Sequence, residues 1–123
     1  MFYSDNKNFD FDLKFGKVGE KRLNAILAEK KFEVKRDRKA RLTGNVSVEY
    51  ECRGKPSGIA TTKADWWAFI INDEDIDDKI ILIEVNRLKK IARAQHKLTG
   101  HAPSGDDKKS KCVLVPFKTL LQG

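Results

Sequence analysis

The sequence predicts an α/β domain in which a mixed β-sheet is flanked by helices. Three observations carry this. Residues 32–52 alternate apolar and polar with period two, residues 18–30 and 86–98 repeat with helical period, and the elements follow the order helix, strands, short helix, strand pair, helix, strand. With 123 residues the chain predicts a single domain spanning 1–123, long enough to bury a core without disulfide or metal staples.

The elements take shape in chain order. Phe9-Asp10-Phe11-Asp12-Leu13 alternates and predicts a short strand or extended arm closing on Gly16. From Val18 to Lys30 the stripe Leu23, Ile26 and Leu27, with Ala25, Ala28 and Glu29 as helix formers, predicts a helix. Glu20 lies three residues before Leu23 and seven before Leu27, on or beside that stripe, where a carboxylate is costly unless paired or liganded.

Two alternating runs follow, separated by a basic, Gly-containing turn, Arg38 to Gly44, and they predict a β-hairpin. Phe32 and Val34 define the apolar side of the first run, leaving Glu33, Lys35 and Asp37 opposite. In the second, Val46, Val48, Tyr50 and Cys52 point one way and Asn45, Ser47, Glu49 and Glu51 the other. A simple register brings Asp37 within reach of Glu49 and Glu51. Two carboxylates ~5 Å apart at an effective dielectric of ~20 repel by roughly 3 kcal/mol, so a cation is expected among them. An all-oxygen donor set with room for water suits Mg²⁺ or Mn²⁺ better than zinc.

Beyond Cys52, Gly and Pro mark residues 53–58 as a loop, and Thr61 or Thr62 as the cap of a short helical turn. Ser57 and the amides near Gly58 are suited to a phosphate, with Lys63 in reach of it. Trp66 to Ile71 is rich in strand formers, one tryptophan being expected in the core. The acidic stretch 72–78 lacks the Gly and Glu of a calcium loop and reads as a solvated hairpin connection. Lys79 to Val85 predicts a buried strand and Asn86 to Leu98 an amphipathic basic helix, with Leu88, Ile91, Gln95 and Leu98 inward and Arg87, Lys89, Lys90, Arg93 and Lys97 outward. A polar loop, 99–111, leads to a last strand from Cys112 in which Pro116 favours an edge.

Net charge is +7 and the sequence pI about 9.5, which favours an anionic partner. Arg36, Arg38, Lys39 and Arg41 form a cluster suited to phosphates, and Lys55 extends it. Two cysteines argue against a disulfide framework and for a reducing, cytoplasmic home. The amino terminus has no basic region followed by an apolar one, and no apolar run approaches the ~20 residues of a membrane helix.

Asp37 followed by Glu49-Tyr50-Glu51 resembles the D…(D/E)-X-K motif of the PD-(D/E)XK nuclease superfamily, which includes restriction endonucleases and Holliday junction resolvases. Glu51 stands where most members carry Lys. Gly19-Glu20-Lys21-Arg22 resembles the acidic first-helix element, and Ser57-Gly58-Ile59, Thr62 and Ala64-Asp65-Trp66-Trp67 resemble what small phage and bacterial members carry after the acidic strand. The resemblance implies a restriction-endonuclease-like core and Mg²⁺-dependent or Mn²⁺-dependent hydrolysis of DNA phosphodiesters; a single small domain has little surface for reading a long sequence, so structure-dependent or nonspecific cleavage, as a homodimer or beside larger partners, is expected. RNA stays open as a substrate, and a phage-encoded member would act in the host cytoplasm. Glu20, Asp37, Glu49 and Glu51 would hold metal, and Lys35 or Lys63 would offset charge on the scissile phosphate. Two alternatives stay open: a small interaction or virion protein whose carboxylates pair with nearby Lys and Arg, and a nucleic-acid-binding protein with a degenerate site. Gly16-Lys17-Val18-Gly19 matches the short backbone clamp of KH domains, and the lysine missing at position 51 fits the loss of catalysis.

Overall fold

The computed structural model describes residues 6–73, 76–105 and 107–122, with side chains described from Asp12 on except in 73–78. The chain divides into two compact units, residues 1–30 and residues 31–123. Among its described residues the first holds the helix α1 (Asn6–Glu29). It starts well before the expected helix and takes in residues 9–13, which are not a strand. Its described side chains are exposed apart from the half-buried Ile26, with Leu23 at 47% and Leu27 at 55%. Glu20 therefore sits on an exposed helix surface and not beside a buried stripe.

The second unit is a mixed α/β fold with two sheets and flanking helices. In order it runs β1 (Phe32–Asp37), α2 (Ala40–Thr43), β2 (Asn45–Cys52), β3 (Lys55–Pro56), a 3-10 turn (Gly58–Ala60), β4 (Trp66–Asp73), β5 (Ile76–Glu84), α3 (Val85–Thr99), β6 (Ala102–Ser104), β7 (Ser110–Pro116) and α4 (Phe117–Gln122). One sheet has the order β1-β4-β5 and the other β3-β2-β7-β6. β1 pairs in parallel with β4, Phe32 facing Trp66 and Asp37 facing Ile71. β2 runs antiparallel to β7.

The expected β1–β2 hairpin does not form, and its two strands lie in different sheets. The intervening residues build α2 in place of a tight turn. Asp37 Oδ1 accepts from the amides of Lys39 (2.9 Å) and Ala40 (3.0 Å), starting the helix, and Gly44 ends it in the left-handed region at φ 73°. Thr61 to Asp65 is likewise not helical, and the local helical turn falls earlier, at Gly58–Ala60. Pro116 ends β7, which is an inner strand, where its missing N–H interrupts little of the ladder. Part of the acidic 72–78 connection lies outside the described residues.

The sheets share one core. Val46 and Val48 of β2 face Val115 and Val113 of β7, and they cluster with Trp67, Phe69 and Ile71 of β4, Ile83 of β5, and Leu88, Ile91 and Ala92 of α3. Each such side chain taken fully from water contributes about 1.5–3 kcal/mol. α3 packs its apolar stripe here because its start is fixed: the Glu84 carboxylate accepts from the amides of Asn86 (2.9 Å) and Arg87 (3.1 Å), at the positive end of the helix dipole. Cys52 and Cys112 are free thiols. Among the described residues, no helix is long and apolar enough to cross a membrane.

Candidate functional site

β1 is turned over relative to its expected orientation. Val34 is 58% exposed, whereas Glu33, Lys35 and Asp37 are half-buried. Their partners across the parallel ladder are Trp67, Phe69 and Ile71, so three ionisable side chains lie along the face that carries the buried side chains of β4. Burying polar groups there is unfavourable unless each finds a partner.

They do find partners. Lys35 Nζ is 2.7 Å from Glu33 Oε2, and the Thr62 hydroxyl donates to Glu33 Oε1 at 2.7 Å. Trp67 Nε1–H donates to Thr62 Oγ1 at 3.1 Å, and Lys35 Nζ lies 5.0 Å from the centre of a Trp67 ring. Among the described residues, no buried side-chain nitrogen or oxygen lacks a hydrogen-bond partner.

Burial alone would raise the Glu33 pKa, but the hydrogen bonds from Lys35 and Thr62 and the charge of Lys35 outweigh it and hold the carboxyl below its ordinary value. A depressed carboxylate stabilises the fold above its unfolded-state pKa and loses that contribution as pH falls through the folded one. Glu33→Gln should therefore flatten the acid side of the stability profile, read as melting temperature from about pH 6 down to about pH 3. Parallel profiles for the variant and the parent would contradict this ion pair.

The other expected site residues are placed as follows. Asp37 ends β1 and caps α2. Glu49 Oε2 accepts the Ser57 hydroxyl at 2.9 Å, and Glu51 Oε2 pairs with Lys111 Nζ at 3.2 Å. A β-bulge separates Glu49, opposite Cys112, from Glu51, opposite Lys111. The extra residue breaks strict alternation, so the common face expected for these two carboxylates is lost. Lys63 is exposed in the loop after the 3-10 turn, and Lys55 on β3 is exposed.

Asp37, Glu49 and Glu51 thus come from two sheets, each with its own partner, while Glu20 belongs to the other unit. Among the described residues, no three His, Cys, Asp or Glu side chains gather as a metal-holding group. The oxygen donors would suit Mg²⁺ by chemistry, but this arrangement does not fit one.

Arg36, Arg38, Lys39 and Arg41 are all exposed, within six residues of β1 and α2. The segment is held from beneath by the Asp37 cap and by Ala40, which is fully buried. These cations project from a fixed platform.

Sequence reasoning missed Glu33, Thr62 and Trp67 as a connected set. A signal was available, since Glu33-Val34-Lys35 itself spells the (D/E)-X-K spacing two residues before Asp37. Comparison with family models, with curated proteins and with solved structures returns no match.

Proposed function

We propose that this chain is a nucleic-acid-binding protein, with DNA as its first candidate partner, and that it engages backbone phosphates through the cationic segment at the end of β1. The observation that carries the reading is the mounting of Arg38 and Lys39, with Arg36 and Arg41 beside them, on a capped turn whose backbone is already ordered. Cations held this way bind phosphate with less ordering entropy to lose than cations on a free loop.

The test is fluorescence anisotropy of labelled duplexes of several sequences across a salt series. Affinity should fall with salt, with log K changing by about −0.9 per log unit of salt for each phosphate contacted. An Arg38→Glu/Lys39→Glu variant should bind all sequences more weakly, with a slope shallower by about two contacts. Salt-independent affinity, or an unchanged variant, would remove the proposal.

A second reading is favoured by one observation, the inward polar row of Glu33, Lys35 and Asp37. Ionisable groups directed at an apolar sheet face are a mark of functional sites. On this reading the chain is a PD-(D/E)XK nuclease with a restriction-endonuclease-like core, cleaving DNA with Mg²⁺ or Mn²⁺. Lys35 and Lys63 are its phosphate-facing cations, while Asp37, Glu49 and Glu51, which lie in two sheets and each meet a partner of their own, are not assigned as a ligand set. Plasmid and branched DNA incubated with Mg²⁺, Mn²⁺ or EDTA separate the two readings. Cleavage abolished by EDTA, by Glu33→Gln and by Asp37→Asn supports the nuclease, and binding without cutting leaves the first reading alone.

A further inference from the structure

A cavity of about 500 Å³ opens between α3, the 3-10 turn, β2 and β7. Such a volume lies within the roughly 300–1,000 Å³ typical of small-molecule sites. It shares no residue with the 36–41 segment or with the Glu33 network. Its floor is apolar: Ile59, Ala92 and Val113 are all nearly fully buried. Tyr50 and His96 form one wall, with Tyr50 Oη 3.4 Å from His96 Nε2 and the rings edge-to-face at 5.5 Å. The His101 ring in turn stacks on His96 at 6.5 Å and 13°.

The rim has the opposite character. Lys89, Arg93 and Lys97 also border the cavity, four residues apart on α3. At 1.5 Å rise per residue they stand in steps of about 6 Å along one side of the mouth. Among the residues that line the cavity there is no carboxylate. An apolar slot with an aromatic wall and a hydroxyl–imidazole pair, opening beneath a row of cations, matches a ligand that joins a flat, weakly polar body to an anion.

We infer that this cavity is a nucleotide site, in which the base lies on the Ile59–Ala92–Val113 floor against Tyr50 and His96, and the phosphate meets Arg93 with Lys89 or Lys97. Stacking on aromatic side chains and charge-assisted hydrogen bonds to phosphate supply the two halves of the recognition. The same chemistry is offered by a free mononucleotide and by an unstacked nucleotide within a single strand.

The test uses the full chain and follows the His96 imidazole signals by NMR during titration with AMP, adenosine, octanoate and a thymidine pentanucleotide. AMP should shift His96 saturably and adenosine should bind more weakly by at least about tenfold, since the phosphate contact is charge-assisted. Ala60→Leu fills the slot from an exposed position without adding an aromatic surface, and Arg93→Glu reverses the central cation; each should weaken AMP by a similar factor. Circular dichroism on both variants checks that they fold. A pentanucleotide binding more tightly than AMP identifies the strand as the source, and equal binding identifies the free nucleotide. The inference is overturned if AMP leaves His96 unmoved, if adenosine binds as well as AMP, if octanoate is preferred, or if folded Ala60→Leu and Arg93→Glu proteins bind AMP like the parent. Arg38→Glu/Lys39→Glu should keep full AMP binding, so loss of duplex affinity and loss of this site are read separately.

Discussion

Trp67→Ala should remove about 3–5 kcal/mol of stability, a large part of the 5–15 kcal/mol that a domain of this size has to lose. Trp67 is fully buried and packs edge-to-face on Phe69, with ring centres 5.9 Å apart. Removing the indole leaves a void in the core shared by both sheets. It also takes the donor from Thr62 Oγ1 and the ring from beneath Lys35, loosening the two groups that hold Glu33. Trp67→Phe separates these effects, because it keeps most of the apolar volume and deletes the N–H. Urea unfolding should place it within about 1–2 kcal/mol of the parent. An alanine variant that loses less than about 1 kcal/mol would mean that the core is not organised around this side chain.

Gly58→Ala should be the second severe change, at about 2–4 kcal/mol. Gly58 has φ +55°, and a Cβ there would lie 2.2 Å from the Glu49 carbonyl oxygen and 2.9 Å from its carbonyl carbon. These are backbone atoms of a paired strand and cannot swing aside as a side chain would. The turn would have to lift, drawing Ser57 away from Glu49 and from the Tyr50 carbonyl that its amide meets at 3.0 Å. Gly54→Ala is the control, since φ there is +80° but nothing lies within 4 Å of an added Cβ. It should show the conformational cost alone, about 1–2 kcal/mol. Equal melting points for the two alanine variants would show that the close approach to Glu49 has no energetic weight.

How far the sequence could be read differs from strand to strand. α3 was legible because Leu88, Ile91 and Gln95 recur at helical spacing, and the helix found, Val85–Thr99, overruns the expected one by a residue at each end; Leu98, expected inward with them, is exposed because the last turn runs past the core. In β2, period two placed Val46 and Val48 inward as observed, but it failed beyond Glu49, because a bulge depends on the partner strand and leaves no local mark. For β1, alternation identified which residues share a side but not which side faces in. Hydrophobicity favoured Val34, and the network of Lys35, Thr62 and Trp67 decided for Glu33. The pairing of β1 with β4, some thirty residues away, was hidden for a related reason: adjacent strands pair more often than not, so proximity in sequence argued for β2. The site was legible in its residue types and not in their company. Asp37 and Glu49 were expected to hold a metal and Ser57 a phosphate; in the fold Asp37 accepts from the amides of Lys39 and Ala40, and Glu49 accepts from the Ser57 hydroxyl.

β1 forms the border of its three-stranded sheet, with Val34 turned outward and Arg36 beside it. A border strand with an outward valine invites a like strand to add to the ladder, the first step toward aggregation. A charged side chain on such a border blunts this pairing, and the exposed Arg36, two residues from Val34, places one there. The arginine beside the outward valine is thus also a guard against self-assembly at this border.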